Sequence, residues 1–384
     1  MTGTAKSRTV VKREDLRPHV AEWFGHRVFP VVADGATARR DQQNRRCPFL
    51  SGVAESDTSC VKNANSLGVC TISAGSNGFR QDWLVCPYRA LDDQLFHAMV
   101  RRLFDLEDRA GVHVVPVTNL ANEEVRERFL TAARDKDGQR QFLTFQQLFG
   151  GEIGLPSTGA SPELSFDVTV VEVVPADDTA VGVRLGRYGV IEMQTTDTHG
   201  TYRYAVEALR GALDLHGRDF GAQVAAHPDW SGRRVEGPNI SNVFKRTFYQ
   251  IMFKFQITRR ASSAGCILAV PRPVWDSWQP FLGAPEVIDA LDGTQRLRAR
   301  EDAETDHVQD APNWIYVFDI TDEPPKDGQP TPISVQLVVA TDTATLSRLA
   351  LDIAPKNAIG SADDDDSVVR VLRRRTHQYV PGIE

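Results

Sequence analysis

The chain of 384 residues is long enough for two or three domains, or for one large domain with additions. Its 41% hydrophobic and 25% charged residues are ordinary for a globular protein and exclude disorder as the main state. No apolar run reaches the ~18 residues of a membrane span, and the first residues lack the apolar stretch of a signal peptide, so we expect a cytoplasmic protein with no membrane partner. The net charge of −7, taken alone, argues against a nucleic-acid-binding protein.

Apolar periodicity predicts strands and helices that follow one another without strict alternation. This pattern predicts an α/β fold with a mixed sheet flanked by helices. The predicted helices cover 91–108, 122–134, 202–214 and 241–256, and the predicted strands include 111–118, 164–174 and 187–195. We divide the chain into a flexible N-terminus (1–20), an N-terminal region (21–140), a core (141–320) and a C-terminal part with strands, a helix and a charged tail (321–384).

Four of the five cysteines, Cys47, Cys60, Cys70 and Cys86, lie between positions 47 and 86. No CxxC pair occurs, so the pattern is not that of a zinc finger or ribbon. Cys47 and Cys86 each precede a proline, and Cys60 and Cys70 lie in Ser-, Asn- and Gly-rich sequence, contexts typical of loops. Two interpretations stay open, namely small apolar residues scattered in a core and a tetrahedral thiolate site for iron or zinc.

Two predicted strands carry acidic residues that can meet. Alternation places Asp167 on the strand face opposite to its apolar neighbours Phe166, Val168 and Val170. On the second strand, Glu192 and Gln194 share one face. If the strands are neighbours, Asp167 and Glu192 approach each other, and such a pair suits Mg²⁺ completed by waters and a phosphate. The alternative interpretation is a pair of acidic residues on the solvated face of a sheet.

The segment 231–275 contains eight basic residues and one acidic residue, a net charge of +7 that leaves −14 for the rest of the chain. Within it, residues 242–255 predict an amphipathic helix with an apolar arc of Phe244, Phe248, Ile251, Met252 and Phe255. The opposite face carries Asn242, Lys245, Arg246, Tyr249 and Gln250. Such a face suits phosphates and base edges, and the alternative is an ordinary solvated helix face. The distribution of charge therefore favours a nucleic-acid partner despite the acidic total.

Six runs together resemble a known family, the NotI-type restriction endonucleases, which are rare cutters of GC-rich DNA. They are AEWFGHRVFP (21–30), SCVK (59–62), DWLVCPYRALD (82–92), SPELSFD (161–167), RYGVIEMQTTDTHGTY (187–202) and EGPNISNVFKRTFYQ (236–250). The resemblance covers most of residues 20 to 320, and the C-terminal tail does not match.

The resemblance implies a restriction-endonuclease-like fold with a PD-(D/E)xK-type active site in which glutamine replaces the lysine. Asp167, Glu192 and Gln194 match the catalytic positions, with Asp167 and Glu192 as ligands of Mg²⁺. Cys47, Cys60, Cys70 and Cys86 match positions that form a structural four-cysteine iron site, and the sequence does not choose iron over zinc.

These observations together lead to the hypothesis of a homodimeric type II restriction endonuclease. It would cleave double-stranded DNA at a GC-rich palindromic site with Mg²⁺ and leave 5′-phosphate and 3′-hydroxyl ends. A cognate DNA methyltransferase would belong to the same restriction-modification system without being a physical partner. The candidate DNA contacts are Arg187, Asn239, Asn242, Lys245 and Arg246. Two alternatives stay open: a non-catalytic DNA-binding protein with a structural four-cysteine metal site, and a repair or mobile-element nuclease on the same core.

Overall fold

The computed structural model of the protein describes residues 16–76, 78–107, 111–198, 200–240, 243–302, 313–320, 329–359 and 367–381. Its strands are β1 (His19–Trp23), β2 (His26–Arg27), β3 (Val69–Ser76), β4 (Phe79–Leu84), β5 (Val112–Pro116), β6 (Arg140–Phe145), β7 (Ile153–Leu155), β8 (Leu164–Phe166), β9 (Val168–Pro175), β10 (Val183–Met193), β11 (Asp197–Thr198), β12 (Pro238–Asn239), β13 (Ser263–Pro271), β14 (Glu286–Asp289), β15 (Gln295–Arg298), β16 (Asn313–Ile320) and β17 (Ile333–Thr341). Its α-helices are α1 (Ala36–Asn44), α2 (Pro48–Ala54), α3 (Asp93–Leu103), α4 (Glu123–Arg134), α5 (Arg203–His216), α6 (Phe220–Ala226), α7 (Val243–Lys254), α8 (Arg272–Trp278), α9 (Thr343–Arg348), α10 (Ala354–Ile359) and α11 (Ser367–Thr376).

A large sheet of nine strands forms the centre of the molecule, in the order β14-β15-β17-β16-β13-β10-β9-β6-β5. It is mixed, since β10 runs parallel to β13 and antiparallel to β9. The predicted mixed α/β fold with flanking helices is therefore confirmed. The sheet takes strands from the N-terminal region, the core and the C-terminal part alike.

Both faces of the large sheet are covered, so its central strands are apolar on both sides. On one face, the buried side chains of α3 pack with Ile191 of β10 and Ile267 of β13. On the other face, α5, α7 and α8 pack with Val190 and Cys266 of the same two strands. Alternation along β10 thus places even-numbered residues, including the position of Glu192, on the side of α7.

The alternation predicted for 164–174 is interrupted at Asp167. Phe166 packs in the core on the α7 side, whereas Val168 and Val170 pack in the core on the α3 side. The prediction that these three side chains share one face was therefore wrong. The cause is the break between β8 and β9, where Asp167 lies outside both strands and bonds to β10 through its backbone and its side chain.

A second, four-stranded sheet in the order β2-β1-β3-β4 carries the cysteine region. A buried ion pair holds its strands, since Arg89 Nε lies 3.0 Å from Glu22 Oε2 and the Thr71 hydroxyl donates to the same carboxylate at 2.6 Å. Arg27 donates to the carbonyl of Ile320, the last residue of β16, at 3.1 Å. The Arg27 bond joins the small sheet to the large one, and the buried ion pair stabilises the small sheet itself, because breaking such a pair is strongly destabilising.

Parts of the two predicted terminal segments lie outside the described residues, namely 1–15 of the N-terminus and 363–366 of the charged tail. The end of the tail that is described forms the exposed helix α11 with its arginines. Among the helices of the described ranges, none combines the length and the apolar character needed to cross a membrane.

Candidate active site and cysteine cluster

The two predicted catalytic carboxylates meet where β9 begins and β10 ends. Antiparallel pairing sets Val168 opposite Ile191, so Asp167 and Glu192 are the next pair along the two chains. The backbone N–H of Asp167 donates to Glu192 Oε1 at 3.3 Å, and the N–H of Met193 donates to Asp167 Oδ2 at 2.9 Å. Asp167 is half-buried while Glu192 is 7% exposed, so a cation can reach the pair from the side of Asp167.

Lys254 supplies a buried positive charge to this pair. It is the last residue of α7, and its Nζ forms an ion pair with Glu192 Oε2. Lys254 is 6% exposed, which is unusual for a lysine without a partner. The site therefore combines two carboxylates from the sheet with one ammonium from the neighbouring helix.

The surroundings of Glu192 favour its protonated form. Burial and the neighbouring Asp167 carboxylate raise the pKa of Glu192 from 4.5 to about 8, and the Lys254 ammonium acts in the opposite direction. When both carboxyls are ionised, they carry more negative charge than Lys254 neutralises. This excess suits a site that takes up a divalent ion.

Gln194 follows Glu192 by two residues and is held at both ends of its amide. Its Nε2 donates to the carbonyl of Thr195 at 2.5 Å, and its Oε1 accepts a hydrogen bond from the hydroxyl of Thr247. The backbone N–H of Gln194 donates to Ala269 of β13 at 3.0 Å, which continues the pairing of β10 beyond its last strand residue. Gln194 and Thr247 are both buried, so this amide has a defined place beside the carboxylates.

The exposed residues of α7 match the polar face that the sequence predicts for this helix. Lys245, Arg246, Tyr249 and Gln250 are exposed, and Phe244 and Ile251 are buried. Asn242 lies outside the described residues. Seven of the eight basic residues of the segment 231–275 remain at least partly accessible, and the exception is Lys254.

The other two predicted DNA contacts lie apart from this face. Arg187 is exposed on β10, with its guanidinium 6.0 Å from the ring centre of Phe104, on the α3 side of the sheet. At ~3.3 Å per residue, it lies about 17 Å along the strand from Glu192. Asn239 is half-buried in β12, which pairs with β11 just after Gln194. The structure thus brings Asn239 towards the site and places Arg187 on the other face.

The four clustered cysteines converge on one small cavity of about 10 Å³. Cys47 and Cys86 each precede the proline that begins a helix, Cys70 lies on β3, and Cys60 lies in the loop before it. Burial raises the pKa of Cys47 to about 12, and burial also raises the pKa values of Cys70 and Cys86. Three of the four are therefore buried as neutral thiols that pack with apolar neighbours.

This arrangement corrects part of the predicted metal region. Within the ranges that the structure describes, no group of three or more Cys, His, Asp or Glu side chains has the placement of a metal site. The physical reason is that burial keeps the thiols of Cys47, Cys70 and Cys86 protonated, whereas the thiolate is the form that binds a metal. The donor set itself, four cysteines around one cavity, is that of a tetrahedral zinc or iron site.

The cysteine cluster is connected to the carboxylates through the backbone. The N–H of Thr196, two residues beyond Gln194, donates to the carbonyl of Leu84 at 2.8 Å. Leu84 ends β4, two residues before Cys86. A backbone hydrogen bond therefore links the chain segment after Glu192 to the strand that leads into Cys86.

Two residues of the site were missed by the sequence analysis, Thr247 and Lys254. The signal for Lys254 is a charge within the apolar run IMFKF, at the edge of the buried arc of the helix. Thr247 lies seven residues earlier, two helical turns away, so both point to the same side of α7. A lysine on the buried side of a helix requires an acidic partner, and Glu192 is that partner.

A scan against protein-family models and a search of curated proteins each returned no match for this chain. The inference of its function therefore rests on the site and on the sequence resemblance.

Proposed function

We propose that the protein is a Mg²⁺-dependent type II restriction endonuclease, as the resemblance in its sequence implies. The observation that supports this best is the convergence of Asp167, Glu192, Gln194 and Lys254 at the edge between β9 and β10. Phosphoryl transfer requires oxygen ligands for a divalent ion and fixed positive charge for the phosphate, and this group contains both.

In this proposal each side chain has a distinct task. Asp167 and Glu192 would hold Mg²⁺, which would polarise the scissile phosphate and lower the pKa of the attacking water when bound. Lys254 stabilises negative charge that develops on the phosphate, at a position where burial keeps competing water away. Gln194 orients the attacking water through its amide, which accepts and donates hydrogen bonds without charge.

In this proposal DNA would bind the exposed face of α7, across the helix from these groups. Lys245 and Arg246 present charge to the phosphate backbone on the side of the helix opposite to Thr247 and Lys254. Phosphate contacts fix the register of DNA on the protein. A palindromic target and a homodimer belong to the same proposal, since a two-fold axis presents two active sites to the two strands.

The deciding experiment is digestion of unmethylated, GC-rich DNA of known sequence with purified protein, with Mg²⁺ and with EDTA, followed by sequencing of the fragment ends. We expect defined ends with 5′-phosphates in Mg²⁺ alone. Asp167→Asn is expected to bind the same DNA and to cut it at least ~100-fold more slowly, because one of the two carboxylates is lost. Glu163→Gln, an exposed carboxyl nearby, serves as the matched control. Loose or structure-dependent ends would point to a repair or mobile-element nuclease.

A non-catalytic DNA-binding protein is the second candidate, and one observation favours it. The ion pair of Lys254 and Glu192 also satisfies a buried carboxylate in a protein without chemistry. Such a protein would bind DNA through α7 and show no cleavage with Mg²⁺ or Mn²⁺, in the wild type as in Asp167→Asn.

We further propose that Cys47, Cys60, Cys70 and Cys86 bind one structural iron or zinc ion. The convergence of the four thiols on one cavity supports this, and metal binding would replace their protons. Metal analysis of the purified protein tests it, with one tightly bound ion per chain as the expected result. A metal-free protein with unchanged stability would show that the thiols are packing residues.

A further inference from the structure

Thr247 is an unusual residue for the interior of a helix, because it is 2% exposed and its hydroxyl points to a side chain of the sheet. Its Oγ1 lies 2.8 Å from the carbonyl of Val243, four residues earlier, and also next to Gln194 Oε1. A hydroxyl has one hydrogen, so it can donate to one of these two oxygens.

The hydrogen-bond pattern around Gln194 decides which of the two oxygens accepts the hydrogen of the Thr247 hydroxyl. The carbonyl of Thr195, 2.5 Å from the Gln194 amide, only accepts, so the amide atom that faces it must be Nε2. Oε1 then faces the Thr247 hydroxyl. Because Oε1 can only accept, the hydroxyl must donate its hydrogen to Oε1. The carbonyl of Val243 keeps the helical N–H of Thr247 as its donor.

We propose that Thr247 is a positioning residue of the active site, whose hydroxyl fixes the orientation of the Gln194 amide. Because both ends of the Gln194 amide are held, its second N–H and the second lone pair of Oε1 each point in one fixed direction. The link also joins the orientation of Gln194 to α7, the helix that carries the basic outer face and Lys254. The part that concerns turnover rests on the proposed nuclease function, and the part that concerns the amide does not.

The first test observes the amide directly, in the full-length protein labelled with ¹⁵N-glutamine. The Gln194 side-chain signal is identified by its absence in Gln194→Met. We expect slow exchange of its N–H protons with solvent in the wild type and in Thr247→Ser, and about tenfold faster exchange in Thr247→Val, which removes the hydroxyl and keeps the shape. Thr258→Val is the matched control, since the Thr258 hydroxyl bonds to the carbonyl of Phe255 and not to Gln194.

The second test is a double-mutant cycle on DNA cleavage. We expect Thr247→Val to lower kcat about tenfold with an unchanged KM, Thr247→Ser to restore it, and Thr247→Val to have no further effect in the Gln194→Met background. An equal loss in that background would show that Thr247 acts through helix packing and would overturn the proposal, as would unchanged amide exchange in Thr247→Val.

The two proposals fail in different ways. If the wild type cuts no DNA while the amide exchange responds to Thr247→Val, the nuclease function is wrong and the positioning of Gln194 stands. If the wild type cuts DNA and the amide does not respond, the nuclease stands and the role of Thr247 is refuted.

Discussion

The raised pKa of Glu192 predicts that the free energy of unfolding depends on pH. The variant Glu192→Gln measures the contribution of this one carboxyl. Because the folded protein favours the protonated carboxyl, it retains a proton that the unfolded chain releases above pH 4.5. The free energy of unfolding of the metal-free wild type should therefore fall as the pH rises from about 4.5 to about 8 and level off above this range. Glutamine resembles the protonated acid and keeps an oxygen for Lys254, so this component disappears in the variant.

The size of this difference in the free energy of unfolding follows from the pKa shift of Glu192. A pKa raised from 4.5 to about 8 corresponds to roughly 4–5 kcal/mol between the two protonation states, at about 1.4 kcal/mol per unit. We expect Glu192→Gln to equal the wild type near pH 4.5 and to exceed it by a few kcal/mol at pH 9. The variant should at the same time lose Mg²⁺-dependent cleavage, because one of the two proposed ligands is gone.

Urea denaturation in EDTA at fixed ionic strength, at pH 4.5 and pH 9, measures the difference. Glu163→Gln, at an exposed position, is the control for removing a negative charge. Adding Mg²⁺ at pH 9 should stabilise the wild type more than Glu192→Gln, since a ligand that binds only the folded state raises its stability. Parallel pH profiles of wild type and variant would show that Glu192 stays ionised beside Lys254 throughout, and the reasoning would fail.

Three further predictions address the rest of the site. Lys254→Met should slow cleavage at least ~10-fold with DNA affinity little changed. It should also lower the free energy of unfolding by about 3 kcal/mol at pH 9, because no cation then remains beside the carboxylates. An undiminished cleavage rate would exclude Lys254 from the chemistry. Lys245→Ala should make the dependence of DNA affinity on salt shallower by about one unit of slope, whereas Lys136→Ala, exposed in the turn between α4 and β6, should not. Cys70→Ser should abolish binding of one iron or zinc per chain and lower the thermal midpoint, and an unchanged metal content would remove Cys70 from the ligand set.

Strand periodicity brought Asp167 and Glu192 together only on the condition that their strands are neighbours, and β9 and β10 do pair. The predicted strands 164–174 and 187–195 can pair in few registers, since a slip by one residue turns a carboxylate to the other face. The break at Asp167 could not be predicted in this way, because it depends on hydrogen bonds to Glu192 and Met193 across the strands. Alternation does predict the face of Arg187, because it lies five residues from Glu192, an odd number, and therefore on the α3 side of β10.

Lys254 shows why a local pattern is insufficient for a site formed across elements. Within the segment 231–275 it counted as one more positive charge for a DNA-binding face. The helix period places it near Thr247 instead, and the packing of α7 against β10 brings that side of the helix to Glu192 and Gln194. One helix thereby serves two surfaces, with Lys245 and Arg246 facing solvent and Lys254 facing the carboxylates. If DNA binds the outer surface, small movements of α7 act directly on the groups that the proposed reaction uses, so variants of the outer face are expected to change kcat as well as affinity.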